Sequence, residues 1–287
     1  MLKKEYYCLV AGLPDLLFNE NKLAVNSRNF REELQHQLSP SDYKLVEYLF
    51  LPFDNKNLLN LLFKQNKPFD STGLLSKMTL EEELQPFEEE STLPQYMQEF
   101  IKWMKDRSSK EYTIEAENIL HGLFFEYVLT TKNHFLKNWF LFELNIRNTV
   151  TAFNCIRYKY DLEEQLLNVQ QNVSVYHLLL NRKLKYELFD DELPYNDQIF
   201  RIAESDATSI EKEKTLDGIR WNYLDEHTFF HYFTIEKILS FVLKLLILER
   251  WMKLDTETGK QLLDRLINDL KTSYDFPAEF SLIKKTG

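Results

Sequence analysis

The chain has 287 residues, 44% of them hydrophobic, with 22 Phe, 15 Tyr, only 6 Gly and 8 Pro, and a net charge of −10. So little Gly and Pro argues against a loop-rich all-β chain and for long helices. The negative charge repels phosphates, so no nucleic acid is expected as a partner. The length suits one large domain or two to three small ones, and Cys8 and Cys155 match no metal or redox spacing, which fits a reducing cytoplasm.

An N-terminal helical unit is expected over residues 1–78. Lys3 and Lys4 precede an apolar run that is too short, and too poor in small residues at its end, for an export signal. A buried segment from Tyr6 to Leu17 breaks at Gly12-Leu13-Pro14. Ser27 is then expected to cap a helix carrying Phe30, Leu34 and Leu38. Pro40 ends it, and Ser41 or Asp42 caps a second helix through Tyr43, Val46, Leu49 and Phe50. Asp54 is expected to cap a third, with Leu58, Leu59, Leu61 and Leu62 on a wide apolar face.

Residues 79–93 form an expected acidic connector, within a wider stretch that holds Pro68, Gly73 and Pro86. Thr79 and Glu82 have capping-box spacing, which predicts a short exposed helix. The acidic run from Leu80 to Glu90 reads as a solvated face.

The central unit, 94–186, opens on Pro94, a favourable first helical residue. Tyr96, Phe100, Trp103 and Met104 mark one helix, and Leu120, Leu123, Phe124, Tyr127 and Val128 another. From Gly122 to Pro194 no Gly or Pro intervenes, so a long central helix is expected over Leu136 to Leu167. Trp139, Phe142, Ile146, Val150, Phe153 and Tyr160 draw its apolar stripe. Glu143 and Arg147 stand an i,i+4 step apart in the favourable order and predict a helix-stabilising ion pair.

The C-terminal unit, 187–287, follows a turn-rich interval from Glu187 to Asp197. The apolar run from Ile238 to Leu248 contains Ser240 and Lys244 and is too short to span a bilayer, so a soluble protein is expected. Glu236, Ser240 and Lys244 form a narrow polar stripe on a helix otherwise enclosed by neighbours. Glu249 lies one turn before Lys253. Thr256 and Gly259 are expected to turn the chain into a final helix through Leu262, Leu266 and Leu270.

An internal rhyme runs through these units. Asp54-Asn-Lys-Asn57-Leu-Leu, Glu143-Leu-Asn-Ile-Arg147-Asn and Leu248-Glu249-Arg-Trp place an acid in leucine- or aromatic-rich helices, roughly ninety to a hundred residues apart. The pattern resembles the three-domain helical C-type subunit of V/A-type ATPases, the counterpart of the d-type subunit of eukaryotic enzymes. The match is closest over Phe142 to Asn148 and Phe233 to Leu270. The opening Tyr6 to Leu16 resembles a bacterial group associated with V-type ATPase subunits. The third repeat departs from the family, reading Glu-Arg-Trp-Met where Glu-Ile-x-Asn-Ile is favoured.

The resemblance implies an all-α fold of helical bundle units, in three divergent repeats. It implies a non-catalytic coupling part between membrane rotor ring and central stalk, cytoplasmic and peripheral at the inner face of the membrane through its protein partners. Asp54, Asn57, Glu143, Arg147 and Glu249 are then structural repeat residues; no catalytic residue, cofactor or metal is implied. The alternative is a generic helical adaptor. An enzyme is disfavoured: His227 and His231 stand an i,i+4 step apart, but Thr-Phe-Phe separates them and no third ligand suggests itself. The chain has no Gly-rich phosphate loop, nucleophile elbow or kinase signature.

Overall fold

A computed structural model of the protein describes residues 4–20, 22–85, 91–107, 111–181 and 195–273, without the side chains of 196 and 255–273. The described residues are all-α. The helices are α1 (Tyr7–Ala11), α2 (Ser27–Gln37), α3 (Pro40–Glu47), α4 (Leu51–Leu62), α5 (Lys77–Glu83), α6 (Gln95–Lys105) and α7 (Ile114–Val128). They continue with α8 (His134–Tyr158), α9 (Leu162–Gln165), a 3-10 turn at Gln170–Asn172, α10 (Val173–Leu180), α11 (Asn196–Glu204), α12 (Ser209–Thr228) and α13 (Ile235–Ser273). No strand occurs among the described residues. No helix among them is long and apolar enough to cross a membrane.

Helix starts follow capping chemistry, shifted from the expected residues. Asn26, not Ser27, caps α2, its side chain accepting from the Asn29 amide at 2.8 Å. Ser39 caps α3, and Pro40 begins that helix where a terminator was expected, because a first-turn proline loses no intrahelical hydrogen bond. Ser76 caps α5, not the Thr79–Glu82 pair. A full capping box does form at Thr208 and Glu211, ahead of α12. Asp54 lies inside α4, where its carboxylate has another use.

Two boundaries differ more. The central helix, expected to reach Leu167, ends at Tyr158, where Lys159 turns left-handed with φ 60°, and only the short α9 lies in the rest of that span. In contrast, α13 runs through Thr256 and Gly259 without a break. The acidic segment 86–90 and most of the interval before Asp197 lie outside the described residues.

One large core draws Phe30, Phe50 and Leu58 from the first unit, Phe100, Leu120 and Phe142 from the central one, and Leu224, Leu239 and Leu245 from the last. A smaller core gathers Ala152, Cys155, Leu166, Tyr176, Leu179 and Phe200 around the end of α8. In α13, Ile238, Leu239, Val242, Leu245 and Leu248 are buried, and even the polar Glu236 and Ser240 are enclosed. Glu236 tolerates this because it accepts from Thr234 and from Asn133 Nδ2, at 3.2 Å for the latter. Lys244 is matched in the same way by Asp225.

Candidate functional site: a cleft built by buried carboxylates

Asp54 points away from its own helix into the chain that follows α4. Its Oδ2 accepts from the Leu74 amide and its Oδ1 from the Leu75 amide, each at 3.0 Å. Burial pushes its pKa up to about 6, against the opposing pull of those two amides. Gly73 passes so close that a Cβ there would overlap an Asp54 carboxylate oxygen. One turn on, Asn57 grips the backbone of Asp70, donating to its carbonyl and accepting from its amide at 2.8 Å each. Arg31 donates to the carbonyls of Thr72 and Gly73 at 2.8 and 3.0 Å. Residues 70–75 are thus fixed, and Asp70 to Thr72 among them form part of one wall of a cleft.

Glu143 faces that wall from α8. Its two oxygens take Arg220 Nε at 2.7 Å and Nη2 at 3.1 Å, a two-pronged pair with α12. The expected partner, Arg147, lies elsewhere: it donates to Asn118 Oδ1 at 3.0 Å, and burial lowers its pKa although Glu117 is near. The pairing differs because a long α12 arginine reaches both oxygens, which outweighs a neighbour on the same helix.

Behind Glu143 lies Asp217, 1% exposed, which sequence reasoning missed. It accepts from Arg220 Nη1 at 2.9 Å, from Trp251 Nε1 at 2.7 Å, and from Arg250. Three donors satisfy the hydrogen-bonding capacity that burial would otherwise leave unmet. The only sequence signal was Asp217 and Arg220 at an i,i+3 step on a helix that reads as mixed and polar. Glu249 reaches from α13 to the first turn of α2, accepting from the Ser27 amide and hydroxyl at 2.6 Å each.

These contacts surround a cleft of about 1020 Å³ between α4, α8, α12, α13 and the 68–72 segment. Glu143 and Glu249 line it directly, and the Asp54 and Asn57 latch holds its Asp70 to Thr72 wall; Arg147 is not on it. Asn145 and Asn148 form a second latch that sequence reasoning missed. Asn148 pairs with both backbone groups of Leu167, at 2.9 and 3.0 Å, and Asn145 accepts from Asn172 Nδ2 at 2.7 Å. The signal was there, an i,i+3 polar pair in each helix.

The two candidate metal histidines do not converge. His227 stacks on Tyr223, ring centres 3.8 Å apart, while His231 lies by Thr234 and Glu236. Among the described residues no three His, Cys, Asp or Glu side chains are grouped to hold a metal.

The fold and cleft define an all-α protein in which enclosed carboxylates and amides pin loops and helices to one another. A family model described as "Protein of unknown function (DUF2764)" matches residues 3–274, and the chain belongs to that family. This corrects the resemblance to the C-type subunit of V/A-type ATPases: the family matched is a different one, and it covers nearly the whole chain. The residues that carried the resemblance are acids on apolar helices, a pattern that any helical protein latched by buried carboxylates will show. No curated protein and no solved structure matches the chain.

Proposed function

We propose that the protein is a non-catalytic docking part that holds two neighbours of a larger assembly at fixed positions. One observation carries the reading: a single unbroken helix, α13, connects two separate surfaces. At its start, the turn between α12 and α13 presents Phe229, 66% exposed, Phe230, 79% exposed, and Tyr232. Further along, Leu243 to Leu254 line the cleft. At 1.5 Å per residue the two lie about 20 Å apart along the helix axis. Large exposed aromatics are typical anchors of protein interfaces. The charged groups of the cleft support the same reading, since Glu143, Asp217 and Glu249 already hold structural partners.

The assembly proposed is the central stalk of a V-type ATPase, with this protein between membrane ring and stalk, peripheral to the membrane through those partners. A part that transmits torque needs a stiff body and two contact surfaces, which supports this role without any shared ancestry with the C-type subunit. A generic helical adaptor is the alternative. The test is a tagged copy expressed in its native cell, with intact ATPase extracted from membranes. Recovery of stalk and ring subunits is expected, as is uncoupling of ATP hydrolysis from ion transport on deletion. Recovery of neither would overturn the rotary role.

A further inference from the structure

The chain leaving α4 doubles back over the last turn of that helix. Lys64 adopts φ 50°, in the left-handed region, and the Gln65 amide donates to the Asn60 carbonyl at 2.9 Å. Between this return, α4 and the start of α7 lies a cavity of about 290 Å³, whose lining includes Lys56, Asn60, Gln65, Lys67, Glu117 and His121. It shares only Lys56 with the cleft. Asn60 is 7% exposed, and its side-chain nitrogen is enclosed without a hydrogen-bond partner. A buried donor left unpaired is a standing cost that an acceptor in the cavity removes. The one carboxylate of the lining is already engaged, for the Tyr112 hydroxyl donates to Glu117 Oε2 and His121 Nε2 lies 3.6 Å from Oε1. The two lysines are exposed and form no ion pair among the described residues, although Lys56 adds to the field that holds Asp70 low. Arg147 brings a third positive charge close enough to act on Tyr112, Glu117 and His121, and among the described residues its side chain bonds Asn118 alone.

We propose that this cavity binds a small oxyanion, a phosphate or carboxylate group, with Asn60 donating from the wall and Lys56 and Lys67 supplying charge at the mouth. The site is independent of the docking reading above. A cation would meet two lysines and a carboxylate whose oxygens are occupied. Water alone would satisfy Asn60 but leave the positive field uncompensated, whereas an oxyanion answers both. The volume lies at the small end of ligand pockets, which suits a free ion or a short acid rather than a nucleotide.

The experiment uses the full chain with isotope-labelled histidine and two probes, inorganic phosphate and succinate, each titrated at constant ionic strength against chloride. The chain has 6 His, and the signal of His121 is assigned by its loss in His121→Gln. A saturable shift, largest at His121, is expected, and the His121 pKa should rise on binding because a nearby anion favours the imidazolium. The tighter probe shows whether phosphate or carboxylate is the preferred group. Asn60→Leu, close in shape, should weaken binding about tenfold. It should leave the thermal transition of the anion-free protein unchanged or higher, since the donor it removes has no partner. Lys67→Gln alters an exposed charge without touching the core and should weaken binding about threefold. No saturable shift at His121 with either probe, or binding that survives unaltered in either folded variant, overturns the proposal. A shift that chloride produces equally marks an adventitious ion only, and overturns it too.

Discussion

Asp54 and Glu143 are both carboxylates next to an apolar core, yet they meet burial differently. Burial of Asp54 outweighs the opposing pull of its two backbone amides, so its pKa is raised to about 6 from 3.8 for the free side chain. The folded state then binds the proton more tightly than the unfolded one. Stability from this group is greatest below pH 3.8, declines as pH rises to about 6 and is flat above. The decline amounts to about 3 kcal/mol. Urea unfolding at a series of pH values should show it, and Asp54→Asn should flatten that interval. Glu117 titrates from a folded value of about 2, held there chiefly by His121, so its effect falls at lower pH and has the opposite sign.

Glu143 has instead a guanidinium bonded to both of its oxygens. Removing one member of a buried pair costs about 3–5 kcal/mol, because the other is left uncompensated. Arg220→Ala should reach that range, since both Glu143 and Asp217 lose a donor. A double-mutant cycle joining Glu143 and Arg220 should give a clear coupling energy, whereas one joining Glu143 and Arg147 should give nearly none. A large Glu143–Arg147 coupling would contradict the observed pairing.

At the level of elements, α4 and α8 hold the chain that follows them by the same device. Asn57 and Asn148 each pair with both backbone groups of one downstream residue, and the side chain three positions earlier secures the chain four to five residues further on. Asn57→Ala or Asn148→Ala would orphan an amide and a carbonyl, costing about 1–3 kcal/mol for each group left unpaired. Hydrogen exchange should show the Asp70 amide losing protection in the first variant and the Leu167 amide in the second, with little crossover.

The latches also show what could be read beforehand. Helix existence followed from three- and four-residue apolar spacing; Trp139, Phe142 and Ile146 of the expected stripe are buried and Val150 and Phe153 half-buried, whereas Tyr160 lies beyond the end of α8 and is 63% exposed. That Glu143 needed a partner was equally clear. Which partner was not, because Arg220 comes 77 positions later, on a helix with little segregation of polar from apolar residues. Cap positions slipped by one residue at Asn26, two or three at Ser39, three at Ser76 and four at Phe50, because several neighbouring Ser, Thr, Asn, Asp and Pro residues can start a helix. Asn148 has the same i,i+3 polar spacing from Asn145 that Asn57 has from Asp54, but that spacing does not say which residue, nineteen positions on, it will bond.

For the molecule as a whole, the docking reading separates stability from association. Phe229 and Phe230 meet each other edge to face at the α12–α13 turn and are mostly exposed. Phe229→Ser with Phe230→Ser should move the thermal transition little, since exposed substitutions usually stay within about 0.5 kcal/mol each. Recovery of partner subunits by a tagged copy should fall sharply. A variant that retains all its partners would show that this turn is not a contact surface.

The contact between Glu249 and Ser27 also bears on how the chain is made. Phe30 packs edge to face on Phe241, and the Tyr6 amide donates to the Phe233 carbonyl at 2.7 Å, so the earliest helices rest on the last one. A ribosome adding about 5–20 residues per second needs on the order of ten to forty seconds to travel from Ser27 to Glu249. Throughout that interval the first turn of α2 lacks its carboxylate, and Phe30 lacks the ring it packs against. The nascent N-terminal helices therefore wait, with apolar faces uncovered, for a helix not yet synthesised. The completed α13 closes the first unit and its own in a single late step.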